Sequence, residues 1–354
     1  MSFKRRALIF VSALLAVSCT THVLGAGDAL IVNITILQSA TAQGAVCLDG
    51  SPPAYYLDRG HASGVRSWII YLEGGGWCNT TAGCLYRSTM YLGSSKKMNQ
   101  QSYFTGILYN RPEDNPEFYN WNRVKVKYCD GASFTGDVEQ VDTENKLYFR
   151  GARIFKAIMK DLLSKGMQNA ENAILSGSSA GGLATILNCD KFKSLLPNNA
   201  RVKCVADAGF FIDGKTIAGT SYIEETYRRI VNLHGSAKNL PSACTSVMEP
   251  SLINNTLVPL YLDPELVWDH CKAHLNFGVE FLKTFGGLTP SFTRGYFITS
   301  CHTHLGILQT RFWFSPTSPR LLHKTMGEAV ADWYFERAGF QYIDTFPCAR
   351  DCKV

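Results

Sequence analysis

The sequence predicts an α/β protein, a mainly parallel sheet flanked by helices and stapled by disulfides. Three observations predict this. Apolar, β-forming runs alternate with helix-compatible stretches along the chain. One run, Ala173 to Leu175, meets Gly177-Ser178-Ser179-Ala180-Gly181 and then small and apolar residues from Gly182 to Leu187, so a G-x-S-x-G turn sits between a strand and a helix. Of twelve cysteines, Cys19 lies in the N-terminal signal-like segment and eleven follow it, which in a secreted chain reads as a disulfide framework.

The N-terminus opens with Lys4-Arg5-Arg6, an apolar run from Ala7 to Val17, and small residues at Gly25 and Ala26. This is the pattern of a cleaved secretory signal over residues 1–25, leaving 26–354 as one hydrolase-like domain. The run is too short to span a bilayer comfortably, and no later stretch reaches spanning length. The 354 residues, 46% hydrophobic and 18% charged, are enough for a sizeable core. Of the formal charge of +6, Lys4, Arg5 and Arg6 carry three, leaving +3 on the mature chain. That is too weak a balance for a nucleic-acid partner, and it permits contact with a polyanionic wall polymer. Three sequons begin at Asn33, Asn79 and Asn254 and mark candidate glycosylation sites.

Taken in order, residues 31–45 read as an edge strand leading to Cys47. Ala54 to Leu57 and Ser67 to Leu72 are the next strands, the latter a buried run of β-formers. Glu73-Gly-Gly-Gly-Trp-Cys78 follows at the strand end, where glycines free backbone N–H groups to line a site. Residues 80–120 read as loops carrying Tyr86, Tyr91, Tyr103, Phe104, Tyr109, Phe118 and Tyr119, which are expected to be core beneath those loops; a carbohydrate groove is the alternative. Val124 to Tyr128 is a strand feeding a Gly/Asp loop to Asp137. Leu147 to Ser164 is a helix with Leu147, Ile154, Ile158 and Leu162 on one stripe, stopped by Gly166. After the elbow and its helix to about Leu196, Val202 to Ala206 is a strand ending at Asp207. Tyr222 to His234 is helical, Leu257 to Leu262 is an apolar run ending at Asp263, and 267–285 is helix-like. Gly295 to Ser300 is a strand with Cys301-His-Thr-His304 just after it, and Thr325 to Ala338 is the closing helix.

The chemistry follows from the turn. A serine in a strained strand-to-helix bend exposes its hydroxyl near a helix N-terminus, where developing negative charge is favoured. Ser179 is the candidate nucleophile of an α/β-hydrolase-like site, in the order serine, acid, histidine. His304, or His302, is the candidate base. Gly75, Gly76 and the N–H of Ala180 are the candidate oxyanion donors, each typically worth about 3–4 kcal/mol in the transition state. For the acid, pattern alone favours Asp263, with Asp207 a second candidate, and neither is assigned. A zinc site is disfavoured because the only close cysteine pairs are Cys78/Cys84 and Cys348/Cys352, and no His–Cys cluster completes a site. The expectation is a monomer with no metal and no cofactor.

Tyr71-Leu-Glu-Gly-Gly-Gly-Trp-Cys78, Tyr128-Cys-Asp-Gly-Ala-Ser-Phe-Thr-Gly-Asp137, Tyr148-Phe-Arg-Gly-Ala-Arg153, Ser176-Gly-Ser-Ser-Ala-Gly-Gly182, Asp207-Ala-Gly-Phe-Phe-Ile-Asp213 and Asp332-Trp-Tyr-Phe335 together resemble the plant pectin acetylesterases, relatives of the animal Notum carboxylesterases. The resemblance covers nearly all of the mature chain. It implies a secreted, metal-free serine esterase acting on acetylated pectin in the cell wall, with Ser179 as nucleophile and His304 as the histidine of the family's Ser-Cys-x-x-His stretch. The chain departs from that pattern in one place. The family carries, between the equivalents of Leu252 and Ile253, an apolar strand and an Asn-Ala-Ala-Tyr-Asp-Ser-Trp-Gln type segment whose aspartate is the triad acid. Here Leu252 runs directly into Ile253, a cysteine before that segment is absent, and Leu305 stands where the family has a cysteine. The competing readings are therefore an active esterase, an impaired variant that retains polysaccharide binding, and an esterase for another acyl group.

Overall fold

The computed structural model describes residues 30–211, 220–241, 294–299 and 304–344. The signal segment, His302, Asp263, the Leu252–Ile253 junction, the Asn254 sequon, the 257–262 run, the 267–285 helix and Cys244, Cys271, Cys301, Cys348 and Cys352 lie outside the described residues.

The strands are β1 (Leu30–Ile36), β2 (Ala54–Asp58), β3 (Ser67–Leu72), β4 (Gln101–Phe104), β5 (Asn122–Val126), β6 (Asn172–Ser178), β7 (Arg201–Asp207), β8 (Tyr296–Ile298) and β9 (Gln341–Ile343). The α-helices among the described residues are α1 (Thr81–Ser88), α2 (Gly151–Ser164), α3 (Ala180–Ser194), α4 (Tyr222–His234), α5 (Thr310–Trp313) and α6 (Met326–Tyr334). Among the described residues the main sheet has seven strands in the order β4-β1-β2-β5-β3-β6-β7. The pairs β5/β3, β3/β6 and β6/β7 are parallel, and β4/β1, β1/β2 and β2/β5 are antiparallel. The chemistry-bearing half of the sheet is thus parallel, as expected, and an antiparallel flank extends it.

Burial explains the central strand. All six residues of β3 are buried, and they divide by alternation. Trp68, Ile70 and Leu72 pack with Ile154, Phe155, Ile158 and Leu162 of α2. Ile69 and Tyr71 pack on the other face with Phe118, Trp121 and the Ala331 and Tyr334 side chains of α6. The sheet is therefore covered on both faces, which is why β3 reads as an unbroken apolar run. Beyond α3, Leu183 and Leu187 pack against Tyr227, Ile230 and Val231 of α4.

Several expectations are corrected. β1 ends at Ile36, where a 3-10 turn over Gln38–Gln43 begins, and β4 rather than β1 lies on the edge. The 80–120 region contains α1, capped by the Thr80 hydroxyl on the Gly83 N–H, and β4. Of its aromatics, Phe104, Tyr109 and Phe118 are core, whereas Tyr86, Tyr91 and Tyr103 are exposed. α2 starts at Gly151, so Leu147 precedes it. β8 pairs with β9 in a separate two-stranded parallel sheet, not with the main one.

Three disulfides join described residues: Cys47–Cys129, Cys78–Cys84 and Cys189–Cys204. No described helix is long and apolar enough to cross a membrane.

Candidate active site

The site is built at the carboxyl ends of β3, β6 and β7, where open α/β sheets assemble ligand sites. Ser179 links β6 to α3 with φ 57° and ψ −126°, a backbone conformation that L-residues other than glycine rarely adopt. Two contacts hold it there: its N–H donates to the Asp207 carbonyl (2.9 Å), and its carbonyl accepts from the Leu183 N–H (3.0 Å). The flanking glycines are obligatory for closeness. A Cβ at Gly177 would lie 2.3 Å from the Gly181 carbonyl oxygen, and one at Gly181 would lie 2.0 Å from that of Leu72. The turn is so tight that strand and helix touch backbone to backbone.

The 73–78 loop lies against this turn. The glycine nearest the serine is Gly74, where a Cβ would meet the Ser178 carbonyl oxygen at 2.3 Å, the Ser179 Cβ at 3.1 Å and the Ala180 nitrogen at 3.3 Å. Gly75 and Gly76 follow with φ 137° and 63°. The N–H groups of Gly75, Gly76 and Ala180 have no acceptor among the described residues. The loop's glycines are thus beside the serine, with Gly74 the one in contact.

The segment that follows His304 reaches the same sheet edge through Asp207. The Asp207 Oδ2 accepts from the Ser178 hydroxyl (2.7 Å) and from the N–H groups of Gly306 (3.0 Å) and Ile307 (3.2 Å). Those two peptides lie just after His304, whose charge lowers the Asp207 pKa. Burial is the larger effect and holds the carboxyl above the usual range, against Ser178, Ile307, Gly306 and His304. His304 therefore sits within electrostatic reach of a residue bonded to both serines of the elbow. Asp207, a secondary candidate by sequence pattern, is the described carboxylate that links strand, serine turn and histidine segment.

Sequence reasoning missed other members of the site. Arg87, buried, donates to the Gly75 carbonyl (2.8 Å) and the Leu92 carbonyl (3.0 Å), and stacks over the Tyr128 ring at 4.9 Å. Tyr128 donates to the Gly76 carbonyl (2.8 Å), and Ser133 donates to that of Ala180 (2.8 Å). The signal for the last two was the Gly/Asp loop after a strand; none pointed to Arg87. The sequence also missed a buried cluster in which His234 Nε2 lies 3.7 Å from the Sγ atoms of both Cys78 and Cys84. A histidine does stand beside that cysteine pair, contrary to expectation. The two sulfurs are joined to each other, so they offer no thiolate to a metal.

A sequence model of the Pectinacetylesterase family matches residues 26–267 and 252–353. Its two stretches overlap over 252–267, the neighbourhood where the sequence departs from the family pattern. Pectin acetylesterase 11 of Arabidopsis thaliana is 46% identical over 351 residues, covering 88% of this chain and 90% of that protein. Pectin acetylesterase 7 of the same plant is 47% identical over 353 residues, with the same coverage. Palmitoleoyl-protein carboxylesterase notum1a of Danio rerio is 35% identical over 216 residues, covering 57% of this chain and 42% of that protein. An alignment of 351 positions that uses only 88% of 354 residues must open gaps of several tens of positions in this chain.

Proposed function

The chain belongs to the pectinacetylesterase family, and from that premise we propose that it is a secreted serine esterase that removes acetyl groups from cell-wall pectin. The proposed mature domain is 26–354, following a signal over 1–25. The observation that carries the reading is Ser179, held at φ 57° between β6 and α3 with Gly74 against it.

In the proposed reaction the Ser179 hydroxyl attacks the acetyl carbonyl carbon while His304 takes its proton. The oxyanion is held by the N–H groups of Gly75, Gly76 and Ala180. Collapse of the tetrahedral adduct breaks the bond to the sugar oxygen, which leaves with the proton from His304 as an alcohol. Water then attacks the acetyl-enzyme with His304 again as base; the bond between Ser179 Oγ and the acyl carbon breaks, Ser179 takes the proton back from His304, and acetate departs. The hydrogen bonds that Asp207 accepts from the Gly306 and Ile307 N–H groups, two and three residues after His304, support Asp207 as the carboxylate that steadies the imidazole in this chain.

A second reading is favoured by the overlapping family match and the alignment gaps: an impaired variant that retains polysaccharide binding. Loss of a triad acid alone typically lowers turnover by about 10⁴, or about 5.5 kcal/mol of barrier. Acetate release from acetylated pectin, measured for the parent chain and for Ser179→Ala, decides between them. Turnover by the parent that Ser179→Ala abolishes supports the esterase; equal rates eliminate it.

A further inference from the structure

We propose that Tyr128, Ser133 and Arg87 are positioning residues that lock the two halves of the oxyanion hole together from behind. The proposal rests on the serine-esterase reading of Ser179.

The carbonyl of one residue and the N–H of the next form a rigid planar unit, so a donor on the carbonyl fixes the direction of that N–H. It also polarises the peptide and strengthens the N–H as a donor. The Arg87 guanidinium anchors the Gly75–Gly76 peptide, and the Tyr128 hydroxyl anchors the Gly76–Trp77 peptide. Gly76 lies between them with φ 63° and open space where a Cβ would stand. Packing does not hold this residue; the hydrogen bonds on either side do.

The other half of the hole is Ala180: its N–H shares a peptide with the Ser179 carbonyl, which accepts from the Leu183 N–H, and its own carbonyl, on the next peptide, accepts from Ser133 Oγ. Ser133 Oγ in turn accepts from the Trp77 indole N–H (2.7 Å), and the Ser133 N–H donates to the Tyr128 hydroxyl (3.0 Å). One serine thus ties the glycine loop to the elbow. Its backbone is strained for this: Ser133 and Phe134 are consecutive non-glycine residues at φ 51° and 59°. Asp130 Oδ2 holds them there, accepting from the N–H groups of Ala132 (3.1 Å) and Phe134 (3.0 Å). None of the three side chains is assigned to bond making or proton transfer. Arg87 acts on the peptide that carries the Gly76 N–H, whereas Tyr128 and Ser133 fix the carbonyls of Gly76 and Ala180, one peptide after those residues' own N–H groups, and so act by holding the backbone dihedrals of the two donor residues.

The test compares the full chain with Tyr128→Phe, Ser133→Ala and the double variant. Tyr128→Phe keeps the ring beneath Arg87 and removes only the hydroxyl. The expected result is a kcat on a soluble acetyl ester lowered about 10- to 100-fold with KM nearly unchanged. Labelling of Ser179 by a small fluorophosphonate slows in step, because that adduct also places an oxygen in the hole. The double variant is expected to lose little more than either single one, since the three groups act as a unit. A lowered Tm with unchanged kcat and labelling rate overturns the proposal, since a merely structural role predicts that. If Tyr128→Phe fails to fold, Ser133→Ala carries the same comparison. A parent that neither turns over nor labels overturns the esterase reading and this role with it. A parent that does both, beside equally active variants, overturns the positioning role alone.

Discussion

The Ser178 hydroxyl donates a 2.7 Å hydrogen bond to the Asp207 carboxylate on the neighbouring parallel strand. The twin serines of the elbow therefore have separate tasks. Ser178 ends β6 and tethers it to β7, and Ser179 stands in the bend. Ser179→Ala is expected to lower acetate release by at least about 10⁴-fold without loss of stability. Ser178→Ala is expected to destabilise by about 1.5–3 kcal/mol, the ordinary worth of a hydrogen bond to a charged partner, and to keep measurable turnover. Acetate assays beside urea denaturation of each variant check both.

Asp207 holds the chain after His304 through the Gly306 and Ile307 N–H groups. Asp207→Asn keeps an acceptor oxygen but removes the charge near the imidazole. The expected outcome is a kcat lower by about 10⁴ if the carboxylate serves as triad acid in this chain. A drop of only a few-fold in single-turnover kinetics refutes that role.

His234 is buried against the Cys78–Cys84 disulfide and the Phe149 ring. Burial, with Arg87 nearby, pushes its pKa down to about 4, against a hydrogen bond to Cys78. The folded value lies below the unfolded one, so its neutral form contributes stability that is fully present above about pH 6.5 and lost as pH falls toward 4. On the order of 3 kcal/mol is at stake. Asp130 acts in the opposite sense, since burial raises its carboxyl to about 6 and its ionisation costs stability as pH rises. The His234 effect is therefore read as a difference: denaturation midpoints of the parent fall more steeply from pH 7 to 4 than those of His234→Asn.

The disulfides differ in the loops they close. Cys47–Cys129 spans 82 residues and Cys189–Cys204 spans 15. Loop entropy predicts about 4.5 kcal/mol lost on removing the first and about 3 kcal/mol on removing the second. Paired Cys→Ala variants, compared by chemical denaturation, check the order; a larger loss at Cys189–Cys204 contradicts it.

Much of this was legible in the sequence because it is local. The bend at Ser179 depends on Gly177 and Gly181, two residues away on either side, where any side chain meets backbone. The buried strands declared themselves through runs such as Ser67 to Leu72, whose two faces are both covered. Helix α4 is found where its periodicity placed it, from Tyr222 to His234. What tertiary structure alone decided are contacts between residues distant in the chain. Arg87 acquires its partner in Gly75 because α1 folds back on the loop before it. Ser133 meets Ala180 across 47 residues, and His234 meets Cys78 across 156. Asp207 is joined to the segment after His304 across 99. Periodicity and turn chemistry act over a few residues, so they specify the bend that carries the hydroxyl. The groups that surround it are brought together only when the sheet aligns the ends of its parallel strands.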